Sequence, residues 1–141
     1  MFRDYTKGLL EEQIGSFRAL LREVTQTGRL DLGIKDFGDI KGYIAQDPRY
    51  DRISGSEREH AFEKYMRDLR KEAFQDFHSL LKESKNTGLI SAGSATSGEK
   101  FENIKNLLKH DNRWKFLEPL SEERDRAVVD FIEALRRGER Q

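Results

Sequence analysis

The sequence contains no cysteine, which excludes both a disulfide framework and a thiolate metal site. It has only two prolines, Pro48 and Pro119, and glycine is scarce over most of its length. Strongly β-branched runs are missing too, so little favours strands and little would interrupt helices. No apolar stretch approaches the roughly 20 residues needed to span a bilayer. No signal-peptide pattern is visible at the start, where Met1-Phe2-Arg3-Asp4-Tyr5 is already charged and helix-like. Nor is there an excess of either charge, because 26 basic residues balance 26 acidic ones. Nucleic-acid binders draw affinity from phosphate neutralisation, and that drive is missing from the chain as a whole. Nucleic acid and membrane are therefore not expected as partners.

What is present is polar and repetitive. Hydrophobic residues make up 35% and charged residues 37% of 141 positions, a balance that suits two small cores, since domains of about 60 residues bury a smaller share of their surface than larger ones. Phe17-Arg18-Ala19-Leu20-Leu21-Arg22-Glu23 recurs sixty positions later as Phe77-His78-Ser79-Leu80-Leu81-Lys82-Glu83. Phe37, Ile40, Tyr43 and Ile44 recur as Phe101, Ile104, Leu107 and Leu108 at an offset of 64, as does Asp47-Pro48-Arg49-Tyr50 in Asp111-Asn112-Arg113-Trp114. Glu57-Arg58, Phe62, Tyr65 and Leu69 map onto Glu123-Arg124, Val128, Phe131 and Leu135 at an offset of 66. The offset changes only between Gly88 and Gly98 and around Pro119. Order, spacing and residue type agree, which identifies a duplication. Phe2, Tyr5 and Leu9 also stand sixty positions before Phe62, Tyr65 and Leu69, so residues 1–13 read as the end of the last helix of a preceding copy. Residues 14–73 and 74–137 then form two domains, and 138–141 a tail.

Each copy reads as three helices. The first buries Phe17, Leu20, Leu21 and Val24 in one copy and Phe77, Leu80 and Leu81 in the other, because spacings of three and four share a helix face. Gly28 and Gly88 follow and stop these helices. The second helix carries Phe37, Ile40 and Ile44, or Phe101, Ile104 and Leu108. Pro48 lacks an amide proton, so Asp47-Pro48-Arg49-Tyr50 is expected as a turn or a short 3₁₀ segment. The third helix is expected to start near Ser56, where Ser56-x-x-Glu59 matches a capping box, and its apolar face is Phe62, Tyr65, Met66 and Leu69. Neither glycine nor proline occurs from Ser56 to Thr87. That predicts one continuous helix closing the first domain and opening the second, about 28 residues spanning about 42 Å. Such a strut would fix the orientation of the two cores, unlike a flexible linker. The predicted core is Phe17, Phe37, Tyr50, Phe62, Tyr65, Phe77, Phe101, Trp114, Val128 and Phe131.

Phe-x-x-Leu-Leu-x-Glu, an aromatic helix, Asp-Pro-Arg-Tyr and Glu-Arg-x-x-x-Phe-x-x-Tyr together resemble the FF-domain signature over residues 14–137, with Phe17 and Phe62 as the two name-giving phenylalanines. The resemblance implies an all-α fold of tandem three-helix domains, each with a 3₁₀ turn between its second and third helices. The second copy departs from the signature at Val128 and Asn112. Among FF proteins the tandem arrangement is similar to the arrays of transcription elongation regulators that couple RNA polymerase II to splicing, and then to the pre-mRNA-processing splicing factors with WW and FF domains. This implies a nuclear protein-binding scaffold. Its implied partners are the phosphorylated C-terminal domain of RNA polymerase II and transcription or splicing factors. A monomer is expected.

No catalytic constellation stands out, and neither an enzyme nor a cofactor is expected. His60, His78 and His110 share no metal-binding spacing, and the carboxylates interleave with Lys and Arg as on a solvated helix face. The Gly88–Gly98 stretch lacks a phosphate-loop lysine motif and reads as a mobile loop. Phosphate recognition would need Arg or Lys beside the peptide. Candidates are Arg18 and Arg22 on the first helix, Lys82 and Lys85 on its counterpart, and a second cluster of Lys105, Lys109 and Lys115. Arg49/Arg113 and Arg58/Arg124, present in both copies, are expected to bridge carboxylates or helix ends.

Overall fold

The computed structural model describes the backbone of residues 2–140 and the side chains of residues 8–138. It is all-helical, with no strand among the described residues. The described residues form, in order, seven α-helices: α1 (Phe2–Gln26), α2 (Gly38–Ile44), α3 (Pro48–Asp51), α4 (Gly55–Asn86), α5 (Gly98–Leu108), α6 (Asn112–Phe116) and α7 (Ser121–Arg140), with a 3₁₀ turn at Glu118–Leu120 before the last. The chain divides into two compact units, the first ending at Arg70 and the second beginning at Lys71. The division falls inside α4, a single helix of 32 residues. Among the described residues no helix is long and apolar enough to cross a membrane.

In the first unit, Phe17 is fully buried with Leu21, Ile40 and Ile44. Its ring meets Phe37 at 6.3 Å and Tyr50 at 6.5 Å, both edge-on, an arrangement favoured by the ring quadrupole. Phe37 also contacts Phe62 at 5.4 Å, yet it stands at the N-terminal boundary of α2 and is only partly buried. Leu10 and Ile14 pack against this core, so α1 serves the first unit from position 10 rather than 14. Phe2 and Tyr5 lie outside the residues whose side chains are described, and Leu9 is 42% exposed.

In the second unit, Phe77, Leu81, Ile90, Leu117, Val128 and Ile132 are fully buried. The Trp114 ring lies 5.7 Å from Phe77. Phe131 departs from expectation. It is only partly buried and edge-on to the exposed His78 at 5.6 Å, while the next residue, Ile132, is fully buried. The core of this unit is completed by Ile132, Leu117 and Trp114.

Local chemistry sets the boundaries. Gly28 and Gly88 have φ of +83° and +82°, and in each case the helix closes with a matched pair of bonds. Gly28 donates to the Thr25 carbonyl and Arg29 to that of Val24; Gly88 donates to that of Lys85 and Leu89 to that of Ser84. This is the Schellman closure that glycine allows. Several boundaries differ from the sequence expectation. The cap of α4 is Ser54, whose Oγ accepts from Glu57 N–H, and Ser56 already lies inside the helix. Pro48 occupies the first turn of a short α-helix rather than a 3₁₀ turn, because its missing N–H is not needed there and Asp47 caps the helix by accepting from Arg49 N–H at 2.9 Å. The 3₁₀ turn occurs instead at Pro119. Of residues 138–141, expected as a tail, 138–140 continue α7 and Gln141 lies outside the described residues.

The segment after Gly88, expected as a mobile loop, follows the first unit closely. Leu30 and Leu32 are buried after Gly28, and Ile90 and Ala92 after Gly88. The Asp31 and Ser91 side chains accept from the N–H groups of Gly33 and Gly93, closing equivalent turns. Arg136 holds the second turn by donating to the carbonyls of Ala92, at 2.8 Å, and Ser94.

Candidate interaction surface

The shared arginines occupy the same structural positions in both units. Arg49 donates twice to Asp47 at 2.9 Å and to Glu23 on α1 at 2.6 Å. Arg113 donates to Asp111 at 3.0 Å and to Glu83 on α4 at 2.7 Å. The Arg49 side-chain bonds hold Asp47 down at about 2, and Arg113 lowers both Asp111 and Glu83. Arg58 lies 4.0 Å over the Tyr50 ring and donates to the carbonyls of Tyr50 (2.9 Å) and Ile53 (2.6 Å). Arg124, 5% exposed, lies 4.1 Å over Trp114 and pairs with Glu118 and Asp125. Arg49, Arg113 and Arg124 are paired with carboxylates, and Arg58 is held by main-chain carbonyls and the Tyr50 ring.

The phosphate candidates separate. Lys105 is paired with Asp125 at 2.9 Å and Glu102 at 3.3 Å, and the bond to Asp125 raises its pKa. It ties α5 to α7 and is removed from the candidate cluster, leaving Lys109 and Lys115 exposed. Lys82, Lys85 and Arg22 are likewise exposed on their helices. Arg18 is paired with Asp68 at 3.0 Å, with both side chains partly exposed. It also lines a groove of about 500 Å³ between α1 and the start of α4, together with Ile14, Glu57, His60, Ala61 and Lys64.

This groove combines apolar and charged groups suited to recognition. Ile14 and Ala61 give it an apolar wall, Arg18, Lys64 and His60 line it with donors, and Glu57 and Asp68 limit the positive charge. His60 and Lys64 share a helix face by their spacing of four, a signal readable in the sequence. Their position opposite Ile14 and Arg18 requires α1 to pack on α4. Among the described residues no group of three or more His, Asp or Glu is placed to hold a metal ion.

Comparison with protein-family models matches residues 12–65 to the FF domain. The first unit contains an FF domain. The match covers α1 from residue 12 through the third turn of α4, and so includes every residue of the groove. FF domains are protein-interaction modules, often found in transcription and splicing factors. The FF domain here leaves its two name-giving phenylalanines, Phe17 and Phe62, buried in the core at 0% and 4% exposure. They belong to the packed core and present almost no surface to a ligand.

Proposed function

We propose that the chain is a non-enzymatic nuclear scaffold of transcription elongation and pre-mRNA splicing, built from the FF domain and a second, divergent FF domain over residues 74–137. The repeated Arg49–Asp47–Glu23 and Arg113–Asp111–Glu83 ties support the second domain. Its partner class is the phosphorylated C-terminal domain of RNA polymerase II together with nuclear factors. The observation that carries the phosphate reading is the groove where Arg18, His60 and Lys64 flank Ile14. A phosphoserine brings about −1.5 to −2 charges and pairs with such donors.

The matching positions of the second unit are less suited. Phe74, His78, Glu122, Arg126 and Asp130 replace Ile14, Arg18, Ser56, His60 and Lys64, and Arg126 is already paired with Asp130 at 3.1 Å. The phosphorylated segment is therefore assigned to the first unit. A second reading, a splicing-factor module for unphosphorylated spliceosomal proteins, is favoured by the Arg18–Asp68 pair, which already neutralises one of the groove's cations.

Titration of the ¹⁵N-labelled chain with doubly phosphorylated and with unphosphorylated tail peptide separates the two. The first reading expects amide shifts around Ile14, Arg18, His60 and Lys64 with the phosphorylated peptide alone. Equal shifts with both peptides support the second reading, and no shift with either removes the polymerase tail as partner.

A further inference from the structure

The second unit holds a groove of its own, about 390 Å³, between the last turns of α4 and α7 and the turn that follows Gly88. Ile90, Ala92, Ala134 and Leu135 make it apolar, Gly138 leaves one side bare, and Lys85 alone among its described lining residues carries a charge. The first unit differs at the corresponding place. There Thr25 Oγ1 and the Tyr65 hydroxyl meet at 2.7 Å, and Asp68, which matches Ala134, is held by Arg18. In the second unit Lys85 stands for Thr25 and Phe131 for Tyr65, so that hydroxyl bridge cannot form, and the Phe131 ring lies against His78 instead. Ala134 and Gly138 replace the larger Asp68 and Glu72. The wall is built in advance, because Arg136 holds the Ala92 and Ser94 carbonyls, so little ordering would be needed on binding.

We propose that this groove docks a protein segment presenting one aliphatic side chain beside a carboxylate. The side chain rests on Ile90, Ala92 and Leu135, and the carboxylate pairs with Lys85, for which no ion-pair partner occurs among the described residues. The apolar contact supplies the affinity and the single cation selects an acidic neighbour over a basic one. Glycine and alanine at 138 and 134 let the partner's backbone approach. This site is independent of the phosphate-facing groove of the FF domain.

The test uses the full ¹⁵N-labelled chain and a capped peptide of glutamates around a single leucine. Amide shifts are expected at Gly88, Ile90, Ala92 and Gly138. Replacing the leucine by alanine should weaken binding about tenfold, from the methylene groups removed, and replacing the glutamates by lysines should abolish it. The double variant Ala134→Asp/Gly138→Glu restores the residue types found on α4 and should lose the response, as should Lys85→Glu. A Cβ at Gly138 meets nothing within 4 Å, so an otherwise unchanged spectrum will show that the variant is folded. Retention of phosphopeptide shifts at Ile14 and Lys64 in the same variants separates the two sites. The proposal is overturned if the leucine and alanine peptides act alike, if the filled groove still responds, or if the shifts fall outside these residues.

Discussion

The Arg49 guanidinium donates to the Glu23 carboxylate at 2.6 Å, joining the four-residue helix α3 to α1 across twenty-six positions. Arg113 and Glu83 repeat the contact at 2.7 Å in the second unit. A helix of one turn has no independent stability, so α3 and α6 depend on such ties and on the rings of Tyr50 and Trp114 beneath them. Arg49→Met keeps the apolar stem and removes the donors. Because the pair is partly exposed, a loss of about 1 kcal/mol is expected, read as a lowered denaturant midpoint. A loss above about 3 kcal/mol would indicate a buried network instead.

The same ties predict an acid limb. Arg49 lowers Asp47 from 3.8 to about 2, and Arg113 lowers Asp111 and Glu83. A carboxylate with a folded pKa below its unfolded value stabilises fully above the unfolded value and loses that contribution as pH falls through the folded one. Stability should therefore decline between about pH 4 and about pH 2. Asp47→Asn/Asp111→Asn should flatten this decline in unfolding curves recorded across that range, and an unchanged slope would exclude these groups as its source.

Ile132 and Phe131 offer a sharper test of the second core. Ile132→Ala should cost about 2–5 kcal/mol, as for a fully buried aliphatic residue. Phe131→Ala should cost clearly less, although phenylalanine is the larger residue. Thermal or chemical unfolding of the two variants decides, and the reverse order would mean that Phe131 is the core residue.

Gly28→Ala and Gly88→Ala isolate backbone conformation. An added Cβ meets nothing within 4 Å at either position, so the expected cost of about 1–2 kcal/mol is that of left-handed backbone alone. Similar losses for both variants in equilibrium unfolding are the expected outcome.

Lys71→Pro breaks the helix the two units share. Proline removes one helical hydrogen bond and clashes with the preceding turn, at a cost of about 3 kcal/mol or more in a helix interior. Position 71 is exposed, so no core contact is lost with it. Loss of helical circular dichroism and a lower unfolding midpoint are expected; a neutral effect would show that this stretch of α4 adds nothing to stability.

The sequence alone determined the helix faces and the Gly28 and Gly88 stops, because these depend on local periodicity and on one residue's backbone freedom. It also carried an FF resemblance over residues 14–137, of which the family match covers residues 12–65, and the structural use of Arg49, Arg58, Arg113 and Arg124. Tertiary structure alone decided which surface cations remain available. Lys105 is consumed by Asp125, twenty positions away, and no local pattern reports that pairing. It decided that Ile132 rather than Phe131 faces the core, since residues one position apart both lie near the edge of an apolar stripe and only packing chooses between them. Both grooves belong to the same class, because each is lined by elements distant in sequence and exists only once their helices are packed.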